Sequence, residues 1–151
     1  LIAYAETTGE AAEISAGALN TVLMGNGAGV PPSMKNLHGI AKEWSKAQTF
    51  AATTLADAAA IDWNLEDNQV AEVTLTDNRT LNAPTNMKDG GTYILLVKQD
   101  ATGSRALAFA SAYKFPGCSV PTLTADANAL DIFTFVSDGT LMHGAFLGDS
   151  K

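Results

Sequence analysis

From residue 69 to residue 148, turn-forming residues return about every eight to twelve positions, and the short segments between them carry β-type patterns. A chain punctuated this often has no room for a long helix and must bury its apolar faces by layering sheets. Residues 70–76 alternate, with Ala71, Val73 and Leu75 on one side and Glu72, Thr74 and Thr76 on the other, the pattern of a half-buried strand. Asp77-Asn78 marks a turn, Arg79 to Ala83 resumes the alternation, and Pro84 ends it. Asp89-Gly90-Gly91 opens the next strand. Tyr93 to Val97 and Leu130 to Val136 are apolar on both faces, which predicts central strands. Lys98 to Arg105 is a polar reversal in which Gly103 supplies a positive φ, while Asp100 and Ser104 hydrogen-bond their own backbone. Residues 105–110 then turn Leu107 and Phe109 inward, and Pro116-Gly117 and Pro121 mark a loop. Asp138-Gly139 is a strong hairpin signal before a last strand at 140–147. These patterns predict an all-β fold, an antiparallel β-sandwich of jelly-roll type over residues 65–151.

Residues 1–60 differ in character, being rich in Ala, Gly and Thr and poor in large apolar side chains. One apolar knot, Leu19, Val22, Leu23 and Met24, precedes the run Gly25 to Gly29 and Pro31-Pro32, which excludes a continuous helix over residues 9–32. So thin a segment cannot build its own core, and copies of itself about a symmetry axis are the simplest surface to lean on. Leu37, Ile40 and Trp44 share one face of a short amphipathic helix expected at 37–47, which Gly39 weakens. Phe50, Leu55 and Ile61 fit either period, and the abundance of Thr favours strand and loop over 49–61. Residues 1–64 are therefore expected to form an extended, Gly/Ala-rich attachment and assembly segment. The chain opens on Leu1 rather than Met, which suggests the C-terminal piece of a longer protein.

Composition excludes several function classes. The net charge of −7, a pI near 4.6 and nine scattered basic residues oppose a phosphate-neutralising face, so no nucleic-acid partner is expected. No apolar stretch approaches the ~20 residues of a membrane span, and the N-terminus lacks the basic region of a signal peptide. The single cysteine, Cys118, forms no intrachain disulfide and reads as a buried or turn-adjacent thiol. Catalytic and metal-binding patterns are missing. His38 and His143 are the only histidines, and no zinc-type spacing accompanies them. Gly25 to Gly29 lacks the Lys-Ser/Thr of a phosphate loop. Asp62, Glu66 and Asp67 match neither a calcium loop nor a glycosidase carboxylate pair and read as a solvated turn. No cofactor, metal or catalytic residue is expected. For ligand contact, the aromatic side chains Trp63, Tyr113 and Phe115 are the candidates, because sugars stack on such rings.

A string of short motifs carries a resemblance. It begins with Ala47-Gln48-Thr49-Phe50 and Ile61-Asp62-Trp63-Asn64-Leu65, and continues through Val73-Thr74-Leu75-Thr76-Asp77-Asn78-Arg79-Thr80-Leu81 and Gly91 to Val97. Gln99 to Arg105, Lys114-Phe115-Pro116-Gly117, Pro121-Thr122-Leu123-Thr124, Ala127 to Asp131 and Phe135 to Thr140 follow. Upstream, Leu23 to Pro31 is similar to a connecting motif of the same proteins. In this order the motifs resemble the C-terminal β-domain of bacteriophage tail fibres and related virion appendage proteins. The resemblance implies a structural virion protein on the particle surface, homotrimeric and without enzyme activity in this module. It implies partners in its own copies, in other virion proteins through residues 1–64, and in a host surface glycan or receptor. Loops 84–91, 100–104, 111–128 and 137–140 are the expected contact surfaces. Cys118 stands where the family is expected to place a second glycine after Pro116-Gly117. A head fibre, a capsid decoration protein and a non-catalytic carbohydrate-binding module are the alternative readings.

Overall fold

The computed structural model describes Ala47 and residues 49–149, together with the backbone of four short strands upstream. The chain divides into two compact units, Leu1–Gln48 and Thr49–Lys151. In the first, β1 (Ala3–Ala5) pairs antiparallel with β2 (Ala11–Glu13), and β3 (Thr21–Met24) pairs antiparallel with β4 (Ser33–Asn36). The Gly- and Pro-rich run of residues 25–32 lies between β3 and β4 in sequence. The helix expected at 37–47 lies outside the described residues, Ala47 apart.

The second unit contains nine strands: β5 (Ala52–Thr54), β6 (Ala60–Ile61), β7 (Val70–Leu75), β8 (Arg79–Leu81), β9 (Asp89–Gln99), β10 (Leu107–Phe109), β11 (Tyr113–Lys114), β12 (Leu130–Asp138) and β13 (Met142–Leu147). Its only helical turn among the described residues is the 3-10 turn Pro116–Cys118. The fold is all-β, as the turn spacing predicts. Two sheets share one hydrophobic core, a six-stranded sheet in the order β11-β13-β12-β9-β7-β5 and a three-stranded sheet in the order β10-β8-β6.

The strand directions correct the expectation of an antiparallel, jelly-roll-type arrangement. From β5 to β10 the chain crosses from one sheet to the other at every step. Strands of equal rank stack in parallel, β5 on β7 on β9 and β6 on β8 on β10. The result is three coils of a short β-solenoid. The reason lies in the connections. Parallel neighbours need a long excursion out of the sheet, about a dozen residues or more. Residues 55–69 and 76–88 make that excursion, and each carries a strand of the opposite sheet on its way. Turn signals such as Asp77-Asn78 bend the chain out of the plane rather than back within it. Within this unit antiparallel pairing appears only after the coils, where β12 lies against β9 and then against β13. β12 thereby covers the edge that β9 would expose to solvent.

Each coil drops an apolar side chain onto the one before. Thr53, Ala71, Leu95, Phe133 and Phe146 form one cross-sheet row, and Ile61, Leu81 and Phe109 form the matching row opposite. Trp63, buried to 2% exposure, sits edge-on to Tyr93 and Phe135 with ring centroids 6.1 and 6.3 Å away. The division expected between residues 64 and 65 therefore falls inside this unit. Leu55, Ile61 and Trp63 belong to its core, and without them the first coil would have no inward face.

Polar side chains tie successive coils together at their corners. Asp57, in the first coil, accepts hydrogen bonds from Arg79 Nε at 2.8 Å and from the Thr76 backbone N–H at 3.1 Å, both in the second. At the opposite corner Asn82 donates to Asp62 at 2.8 Å. Asn78 passes the ladder to the third coil by accepting from the Ala106 N–H at 2.9 Å. The Arg79 guanidinium holds the Asp57 carboxyl at about 2, with the Thr76 hydrogen bonds adding to it and burial opposing. Beyond the third coil, buried Gln99 accepts from the Arg105 N–H and donates to the carbonyls of Arg105 and Thr124. The reversal it anchors has the predicted Gly103 and Asp100 geometry, with Gly103 at φ +74° and Asp100 Oδ1 accepting from the N–H groups of Thr102 and Gly103, while Ser104 instead donates its backbone N–H to the Ala125 carbonyl.

Two predictions follow from this packing. Asp57 titrates below its unfolded value, so its contribution is complete above about pH 4 and fades as the pH falls towards about 2. Asp57→Asn should lower stability by about 1–2 kcal/mol at pH 7 and by much less at pH 2, read by urea denaturation at both values. A Cβ at position 103 would lie 2.5 Å from the Ala125 carbonyl oxygen on a positive-φ backbone. Gly103→Ala should cost about 2–3 kcal/mol in the same assay, whereas Gly90→Ala, with open space around it, should cost less.

Candidate functional site

A region open to a ligand is built where β11, the Pro116–Cys118 turn and β13 meet. β11 runs parallel to β13 at the sheet edge, and Lys114 is the register partner of His143. His143 in turn pairs with Val136 of β12. Strand alternation sends these three side chains to the outer face while Tyr113, Phe115, Phe135 and Met142 point into the core. A cleft of about 410 Å³ lies there, with Lys114, Phe115, Pro116, Thr134, Val136 and His143 among its lining residues. A smaller cleft of about 160 Å³ borders it on the far side of Lys114, reaching Tyr113, Cys118 and Val120. A third, of about 370 Å³, lies between residues 104–107 and 120–125.

Charge in this region is set by a few groups. Asp138 ends β12, and its Oδ1 accepts from the N–H groups of Thr140 and Leu141. Its Oδ2 lies 3.1 Å from His143 Nε2. These contacts, the Leu141 N–H first and His143 next, hold the Asp138 carboxyl at about 2. Gly139 takes φ +85° beside it, so the Asp138-Gly139 turn joins β12 to β13 as the sequence predicts. Arg79, Lys98 and Arg105 are paired with Asp57, Glu72 and Asp100. Lys114 has no carboxylate partner among the described residues.

The aromatic candidates are placed differently from one another. Trp63 lies in the centre of the core, with its ring faces against protein rather than solvent. Tyr113 is also buried, and burial pushes its hydroxyl pKa up. Phe115 is buried against Phe109, Phe133 and Phe135, yet it lines both clefts beside Lys114. All three rings pack on Phe135, but Tyr113 and Phe115 also share Phe109 and line one cleft, whereas Trp63 turns to Tyr93 and lines neither cleft beside Lys114. Residue 118 also has a clear role. Cys118 is exposed and holds φ +57° in the turn, the backbone region that favours the glycine expected there. Nothing in the sequence joins Lys114 to His143, because single basic residues in short strands show no spacing. Only the parallel register of β11 and β13 makes them neighbours. Asp62, Glu66 and Asp67 converge on nothing, and among the described residues no three His, Cys, Asp or Glu side chains gather as metal ligands. Among the same residues no helix is long and apolar enough to cross a membrane.

Comparison with known families supplies the identity. The family model "Putative phage tail fibre C-terminal domain" matches residues 54–142, from the end of β5 to the start of β13. The chain belongs to the phage tail fibre C-terminal domain family. It is therefore a structural tail-fibre protein and a component of the virion. The matched stretch takes in nearly all of the three coils and the β12 cover, so the tail-fibre domain begins well before residue 65. No curated protein and no solved structure matches the chain.

The placement of Trp63 yields a prediction. Trp63→Ala should lower stability by about 3–5 kcal/mol in thermal or urea unfolding, the cost of an emptied aromatic site in a packed core. Equal stability of the variant and the parent would show that the ring is surface-disposed.

Proposed function

We propose that this tail-fibre domain is the host-contacting end of a homotrimeric fibre displayed on the virion surface. Family membership carries the reading, and one structural observation supports its finer part. Among the described residues of this unit, the six-stranded sheet has a second layer on one face only. Its outer face carries Ile94, Leu96, Leu130 and Ile132, all partly exposed, and Leu147, which is 59% exposed. These lie on neighbouring strands in one patch, Leu96 beside Ile132 and Ile132 beside Leu147. Beside this patch Glu72 and Lys98, on β7 and β9, neutralise each other at 3.0 Å, and the basic Lys114 stands apart from it at the β11 edge. An apolar, electrically balanced patch suits burial against a sister subunit. Residues 1–48, low in large side chains, suit a shared attachment segment joining the trimer to other virion proteins.

Host attachment would then be multivalent. Three copies of a weak site on a stiff fibre gain avidity without any new contact. Ligand contact is assigned to the cleft side of Phe115 and its neighbours, with Trp63 and Tyr113 supporting the fold beneath.

Analytical ultracentrifugation of the full chain should give three times the 15.7 kDa chain mass, and Ile132→Glu should shift the assembly towards monomer. The purified protein should also slow adsorption of the phage that carries it. A stable monomer, with no competition at saturating protein, would contradict the proposal.

A further inference from the structure

We infer that the cleft between β11 and β13 binds an acidic sugar residue, with Lys114 and His143 holding its anionic group. The inference rests on the reading of this domain as host-contacting only for the source of the sugar. The binding itself follows from the cleft.

Three observations converge. First, Lys114 and His143 are register partners on adjacent parallel strands, so their side chains rise side by side from the same face. Neighbouring strands lie about 4.8 Å apart, close enough for both basic groups to reach one carboxylate or phosphate. Second, the two are differently restrained. Lys114, like Lys88, has no acidic partner among the described residues, whereas Arg79, Lys98 and Arg105 are each paired, and of the two unpaired lysines Lys114 is the one that lines this cleft. His143 Nε2 is occupied by Asp138 at 3.1 Å. That contact orients the ring, while Nδ1 has no protein partner among the described residues. Third, the rest of the cleft is mixed in the way a pyranose is mixed. Val136, 50% exposed, and Pro116 offer an apolar wall for the C–H face of the ring, and Thr134 offers a hydroxyl for its rim. A bare inorganic anion would leave that wall unused. A neutral sugar would leave Lys114 without its counter-charge. An acidic sugar uses both.

Asp138 also limits the ligand. It stands on the far side of His143 from Lys114 in the strand order, so an anionic group is favoured at the Lys114 end and repelled at the other. The site therefore selects orientation as well as charge.

The test is an amide-resolved NMR titration of the full chain with three probes: trigalacturonate for a sugar carboxylate, mannose 6-phosphate for a sugar phosphate, and maltotriose as the neutral control. Binding of either acidic probe is expected, with shifts at Lys114, Thr134, Val136 and His143, and whichever binds more tightly identifies the anionic group. Lys114→Gln should weaken that binding about fivefold or more, while Lys114→Arg, which keeps the charge at the same position, should retain it. Native amide spectra of both variants verify folding. Equal binding of maltotriose, shifts centred elsewhere, no binding of either acidic probe, or an undiminished Lys114→Gln affinity would each overturn the inference. Adsorption competition separates this from the attachment reading. If Lys114→Gln blocks adsorption as well as the parent does, the cleft is excluded as the attachment site and attachment stands. If acidic sugar binds while neither protein blocks adsorption, attachment falls and the cleft stands.

Discussion

Everything in the second unit depends on parallel stacking of one coil on the next. The rows Thr53–Ala71–Leu95 and Ile61–Leu81–Phe109 exist only because β5, β7 and β9, and likewise β6, β8 and β10, keep a common direction and register. Slipping a strand by one residue would turn its inward face to solvent. The corner contacts guard against that slip. Asp57 reaches forward to Arg79, Asp62 to Asn82, and Asn78 to Ala106, so each corner fixes the offset between two coils. In a solenoid each coil contacts only its neighbours, and an uncovered end is a weak point. At the third coil β12 provides the cover, pairing antiparallel with β9 and stacking Phe133 and Phe135 on the core.

That arrangement also positions the candidate site. β12 must run along β9 to close the sheet, and the Asp138-Gly139 turn sends β13 back beside it. β11 then joins the free edge of β13, which sets Lys114 next to His143. The same sheet leaves an outer face with Ile94, Leu96 and Ile132 uncovered by the three-stranded layer. In a fibre these two features divide the work: the middle of the sheet suits contact between subunits, and its β11 edge suits contact with a host surface.

Much of this was legible residue by residue. The alternation over 70–75, the two-faced apolar runs of β9 and β12, the Gly103 reversal and the Asp138-Gly139 hairpin all follow from local chemistry, and the structure places them accordingly. The family was also legible, through turn and core motifs in their order. Strand direction was not. Asp77-Asn78 is a turn whether the chain folds back within a sheet or crosses to another, and nothing local distinguishes the two outcomes. Short strands hide for a related reason. β6 has two residues and β5 three, too few to establish a period, so the first coil reads as strand and loop of an extended assembly segment although Ile61 and Trp63 are among its most buried side chains. Aromatic rings posed a similar problem, since a Trp that fills a core and a Trp that stacks on a sugar look alike in sequence. Lys114 and His143 are far apart in the chain, and only tertiary pairing joins them.

The central claim is the parallel, two-sheet coil, and nuclear Overhauser contacts between backbone protons test it most directly. The account predicts inter-strand contacts linking Thr53 with Ala71, Ala71 with Leu95, and Ile61 with Leu81 in the pattern of parallel pairs. Contacts between Val73 and Leu81 across the Asp77-Asn78 turn, in the antiparallel pattern of a hairpin, would contradict it.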